Sequence, residues 1–253
     1  MALPVLDLLA ARRFAWVNHA LIAINVVIFL FLQPPVFQGG EMDTAFDEGS
    51  EVVESAVVWI HRYAAIPCEI SSFDTLAEKP SGCDANDIVA PVALPQNKSI
   101  LVSLAASLFL HGGLLHLLGN MFFLWIFGNN VEDRIGSATY LAFYLVAGLV
   151  STLGHVAWDV GSSVPVIGAS GAVSGVMGAY VVFHPRAKVL TLIPGWIFPV
   201  VYLPSVVVLG LYFASQFFTP EVSRVAWVAH VAGMVAGAGF ALIWRSVASL
   251  ASK

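Results

Sequence analysis

The chain has 253 residues, 58% of them hydrophobic and only 11% charged, and its mean hydropathy of +0.85 lies far above that of an ordinary soluble domain. An all-α polytopic membrane protein embedded in the lipid bilayer is expected. The net charge of −5 comes mainly from acids gathered in one stretch, and nothing in the pattern suggests nucleic acid as a partner.

Residues 1–13 read as a short cytoplasmic N-terminus that ends in Arg12 and Arg13. The apolar run near 14–33 leads into Pro34-Pro35 without a convincing cleavage pattern, so it reads as a retained signal anchor. Residues 34–98 form a long, acidic, loop-rich exterior segment that holds both cysteines, Cys68 and Cys83. In an oxidising compartment the pair can form a disulfide; two free thiols are the alternative. Further runs near 113–131, 138–158, 168–183, 197–218 and 225–244 complete six candidate spans, each judged against the roughly 20 residues that cross about 30 Å of hydrocarbon. The fourth is short, as if it began below the membrane surface. The membrane domain thus covers 14–245, and 246–253 is a cytoplasmic C-terminus.

Orientation follows the basic residues. Arg12, Arg13, Arg134, Arg186, Lys188, Arg245 and Lys253 fall on one side, Arg62, Lys79, Lys98 and Arg224 on the other. The short loops put both termini in the cytoplasm, and a bacterial plasma membrane is the expected location. Trp59, Trp125, Trp158, Trp196 and Trp227 read as interfacial or packing residues.

Ionisable groups inside spans are costly and mark functional sites by default. His19 and His184 read as interfacial, His61 belongs to the long loop, and His155 faces a boundary. His111 lies just outside the second span, beside Gly112-Gly113. His116 and Asn120, four apart, share one face of that span. Counting about 1.5 Å per residue from the cytoplasmic markers Glu132, His184 and Arg245 puts His116 about 6 Å, Asn120 about 12 Å, Ser170 about 9 Å and His230 about 8 Å below the outer boundary. Three separate spans therefore bring polar groups to one level. Gly171 and Gly175 beside Ser170, and Gly233 and Gly237 on the face of His230, let two backbones approach closely.

A serine hydroxyl attacks only after a base takes its proton, and a neutral imidazole suits that task. Ser170 is the candidate nucleophile and His230 the candidate base. The second, fourth and sixth spans contain no Asp or Glu to complete a triad, so a dyad is expected, with packing orienting His230. Ser170 opens its helix, where unpaired N–H groups face a developing oxyanion; His116 and Asn120 add side-chain donors.

These residues match a known pattern: the sequence closely resembles the rhomboid intramembrane serine proteases, from the first span onward. The resemblance rests on "GASG" around Ser170, "AHVAG" around His230, His-x-x-x-Asn at His116 and Asn120, and "VEDRIG" with Glu132 and Arg134. It implies a six-helix rhomboid core with the first loop partly in the outer leaflet, and transmembrane protein substrates. It implies the Ser170–His230 dyad and an oxyanion site of His116, Asn120 and the Ser170 backbone. It also implies sideways substrate entry past a mobile fifth helix, where Pro199 and Pro204 fit a movable segment and a static kink equally. Some relatives carry a tyrosine four residues after the nucleophile that stacks on the histidine; here that place is Ser174. Glu132 and Arg134 read as braces of a cytoplasmic helix end.

Three rivals stand beside this reading. A zinc protease lacks H-E-x-x-H and a third ligand at the His116 and His230 level, so neither metal nor cofactor is expected. A non-catalytic rhomboid-like protein that binds membrane helices for trafficking or quality control would not need Ser170 and His230 together. A transporter would need polar groups through the whole bilayer depth.

Overall fold

The computed structural model describes residues 3–9, 11–39, 51–78, 83, 94–95, 97–192, 200–218 and 226–251. Lys79, Trp196, Pro199, Arg224 and Lys253 lie outside the described residues. The elements are β1 (Leu3–Asp7), α1 (Trp16–Leu32), α2 (Glu51–Tyr63), α3 (Pro67–Ser72), α4 (Ile100–Phe109), α5 (Leu114–Ile135), α6 (Ser137–Trp158), α7 (Ser170–Phe183), β2 (Lys188–Leu192), β3 (Val200–Pro204), α8 (Ser205–Gln216) and α9 (Trp227–Ala251). Among the described residues, three helices are long and apolar enough to cross a membrane: Leu114–Ile135, Ser137–Trp158 and Trp227–Leu250. Shorter apolar helices accompany them, and the chain is a polytopic, mainly helical membrane protein.

Three expectations change. The fifth apolar run does not begin as a helix: Val200–Pro204 is a strand, and α8 starts only at Ser205. Its "VVY" is β-branched and aromatic, which favours the pleated conformation. The all-α class is likewise corrected by a three-stranded antiparallel sheet in the order β1-β2-β3, in which β1 comes from the supposed N-terminal tail. Finally, the loop-rich segment 34–98 contains α2 and α3. In "EVVESAVVWIHRY", Ala56, Val57 and Ile60 recur at helical spacing and are buried, while Glu54 and Arg62 remain exposed.

The chain divides into two compact units, one of Met1–Ile22, Met121–Ser151 and Ser170–Lys253, the other of Ala23–Asn120 and Thr152–Ala169. In the first, Asp7 anchors the sheet: it accepts hydrogen bonds from Tyr180 Oη and, at 2.8 Å, from Asn130 Nδ2. Partial burial raises the Asp7 pKa, and the Tyr180 bond opposes that rise. Glu132 accepts from the amides of Val17 (3.1 Å) and Asn18 (2.7 Å) and from Ser137 Oγ (2.6 Å). A carboxylate here satisfies amides of the first turn of α1, which have no partner within their own helix. Asn18 in turn donates to the carbonyl of Leu124, in the π-turn Leu124–Gly128 of α5, and accepts from Tyr140 Oη at 2.7 Å. Gly128 leaves the room that Asn18 fills.

In the second unit the Gln33 amide pairs with the backbone of His111, its Nε2 donating to the carbonyl and its Oε1 accepting the amide, both at 2.8 Å. Cys68 and Cys83 are joined by a disulfide within a small core that includes Ile66 and Leu76. Beside it Lys98 and Glu69 form a buried ion pair; Lys98 also donates to the carbonyl of Ala64 at 2.9 Å, and Glu69 accepts from the amide of Leu76 at 2.8 Å. Desolvation lowers the Lys98 pKa, against the pull of the Glu69 carboxylate.

Candidate active site

Ser170 is the first residue of α7. Two residues earlier Gly168 has φ +124°, a left-handed conformation that side-chain-bearing residues rarely adopt. The glycine that opens "GASG" therefore lets the chain turn sharply into the helix. From Gly171 to Tyr180 every residue of α7 is buried, while Ser170 itself is half-buried.

The packing of α7 on α9 sets the distance between the two candidate side chains, Ser170 and His230. A Cβ on Gly233 would collide with the carbonyl of Gly171, one on Gly237 with the backbone of Gly175, and one on Gly178 with the carbonyl of Met234. On its other side Gly175 faces Ala147, a Cβ there standing 2.7 Å from the alanine methyl. Gly171 makes room for Ser151, whose Oγ donates to the carbonyl of Ala229 at 2.7 Å, next to His230. Backbone therefore meets backbone along the whole small-residue stripe.

His230 lies one turn into α9, and its Nε2 stands 2.9 Å from Ser170 Oγ. Its other nitrogen, Nδ1, lies 2.7 Å from Oε1 of Gln216, the last residue of α8. Gln216 is buried, with 7% of its surface exposed. To the packing expected from the sequence to orient His230, the structure adds this amide. Gln216 is an amide rather than a triad carboxylate, and it lies in the fifth apolar run, outside the three spans that hold the other candidates. A single amide in "LYFASQFF", where the other polar groups are hydroxyls, is the signal that could have found it. Ser174, at the place of the stacking tyrosine, is fully buried and sits against Gly233.

The remaining candidates belong to the second unit or to the helix ends. His116 Nδ1 accepts from the amide of Gly112 at 3.4 Å, which leaves Nε2 to carry the proton and act as a donor. Its ring stands edge-on to His111, centroids 5.2 Å apart. Asn120 is buried, with 6% exposed, and its Nδ2 has no hydrogen-bond partner among the described residues. Glu132 is the buried brace described above. Arg134 is exposed, its guanidinium 6.0 Å from the centre of the Phe183 ring.

A family model, the Rhomboid domain, matches residues 98–247. The chain is similar to presenilin-associated rhomboid-like protein A, mitochondrial, of Danio rerio, with 29% identity over 60% of this chain and 41% of that protein. It is similar to rhomboid protease GluP of Bacillus subtilis, 35% identical over 51% of this chain and 23% of that protein. RHOMBOID-like protein 5 of Arabidopsis thaliana is 32% identical over 56% of this chain and 44% of that protein. The matched stretches cover less than half the length of each of these relatives.

Proposed function

The chain belongs to the rhomboid family, and from that premise we propose that it is an intramembrane serine endopeptidase that cleaves transmembrane segments of membrane proteins in the outer part of the bilayer. One observation carries the proposal: a hydroxyl, Ser170 Oγ, stands 2.9 Å from an imidazole nitrogen, His230 Nε2, at the start of a buried helix. That distance is within the reach a nucleophile and its base require. His230 takes the hydroxyl proton as Oγ attacks the scissile carbonyl carbon. It then gives that proton to the leaving amine, and water hydrolyses the acyl-enzyme by the same exchange.

The amides of the first turn of α7, His116 and Asn120 are the proposed oxyanion donors. The buried Nδ2 of Asn120, without a partner among the described residues, and the Nε2–H of His116 are both donors, as that role needs. The proposed core has six spanning helices with both termini in the cytoplasm of a bacterium, an orientation that rests on the basic residues of the short loops. The named relatives include mitochondrial, bacterial and plant proteins, so this location rests on the sequence alone.

The test is cleavage of a reporter transmembrane segment by purified protein in liposomes, with folding of each variant verified. Wild type is expected to cut and Ser170→Ala to be inactive. A folded wild type that cuts none of several helix-destabilised reporters would favour a non-catalytic protein that binds membrane helices.

A further inference from the structure

Gln216 ends α8 with its side chain folded back on the helix and one face turned to His230. Its Nε2 lies 3.3 Å from the carbonyl of Tyr212 and 3.4 Å from Ser215 Oγ. A carbonyl oxygen only accepts, so the NH₂ end of the amide must be the end that faces Tyr212. The other end, Oε1, then faces His230 Nδ1 at 2.7 Å. An amide oxygen also only accepts, so Nδ1 must carry a proton. In the neutral imidazole this leaves Nε2 unprotonated, and Nε2 is the atom 2.9 Å from Ser170 Oγ. The tautomer that can take the serine proton is thereby selected by the carbonyl of Tyr212, through one amide.

We propose that Gln216 is a positioning residue that holds His230 in the Nδ1-protonated tautomer and aims its Nε2 at Ser170, the place a carboxylate occupies in Ser-His-Asp triads. The proposal rests on the protease reading, yet its geometry is separate from it. Gln216 touches no reacting atom and passes no proton along. When His230 takes the serine proton, the Gln216 carbonyl stays a neutral acceptor for Nδ1–H, so it supports the imidazolium through its dipole alone. A neutral amide is also easier to bury beside lipid than a carboxylate.

The experiment uses the full chain in detergent, the reporter segment, and the variants Gln216→Met, Gln216→Asn, Gln216→Glu and Ser170→Ala. Methionine fills the space without an acceptor, asparagine keeps an amide too short to reach, and glutamate keeps the acceptor in place. Met and Asn are expected to lower kcat by about 10- to 100-fold with KM little changed, below the ~10⁴-fold seen when a triad carboxylate is replaced by its amide. Glu is expected to stay within severalfold of wild type. Imidazole ¹⁵N spectra, with His230 assigned from a His230→Ala sample, read the tautomer directly. The Nδ1 proton expected in wild type should give way to Nε2 protonation, or a mixture, in the Met and Asn variants.

Wild-type kcat in both of those variants, or a His230 tautomer unchanged in them, overturns the role of Gln216 while leaving a Ser170-dependent protease intact. Equal losses in Met, Asn and Glu point to packing alone and also overturn it. If wild type cuts nothing, the protease reading fails, but the ¹⁵N spectra still decide whether Gln216 sets the tautomer.

Discussion

Asn120 buries an amide nitrogen without an acceptor among the described residues, which costs free energy unless a later partner repays it. The proposed partner is an oxyanion that exists only during turnover. Asn120→Ala should therefore lower kcat by about 10²- to 10³-fold, the loss typical of one oxyanion donor, while leaving the melting temperature unchanged or higher. Steady-state cleavage and a thermal melt of the same sample check both halves. At this scale, Ser170 and His230 were legible because polar groups are scarce in apolar spans and these two fell at one depth. Gln216 was not, since its meaning depends on the fold of α8: an amide at the end of an apolar helix reads as an interfacial residue until a histidine is found 2.7 Å away. The conformation of Gly168 was equally hidden, because "GASG" does not disclose which glycine takes positive φ.

Among the elements, α7 and α9 were the most legible. The glycines at 171, 175, 233 and 237 announced a close crossing, and each of them is where an added Cβ would strike a neighbour. Gly237→Val is expected to destabilise the protein by about 1–3 kcal/mol through overpacking and to cut cleavage at least tenfold, because moving α9 carries His230 away from Ser170. Gly239→Ala, on the same helix with open space at its Cβ, should be neutral by both measures. A chemical denaturation series with parallel activity assays separates the two. Less legible was the sheet. The strands β1, β2 and β3 are five residues each, short enough that an apolar run containing one looks like a longer helix. The helix α2 hid for a different reason: the acids around it in the sequence suggested a loop, although its buried face repeats at helical spacing.

For the whole molecule, composition alone was enough to predict a polytopic membrane protein, because no soluble core could absorb so much apolar surface. The segment between the first two apolar runs carries its own stabilisation, from the Cys68–Cys83 disulfide and the buried Lys98–Glu69 pair. The disulfide closes a loop with a sequence separation of 15, for which chain entropy predicts about 3 kcal/mol. Protein purified without reductant should therefore show no maleimide-reactive thiol until denatured and reduced, and reduction should lower its stability by about that amount. Thiol titration and melts with and without reductant measure this. Titratable thiols in the folded, unreduced protein would remove this source of stability.

The seam between α7 and α9 also limits how any substrate of the proposed protease could reach Ser170. Where a glycine of one helix lies against the carbonyl of the other, no room remains for a third helix, which needs about 10 Å of width. On that side of the Ser170–His230 pair, packed backbone leaves no gap between the two helices. A polypeptide bound for Ser170 has to arrive by another side, so crosslinks that pin α7 to α9 should leave its passage free.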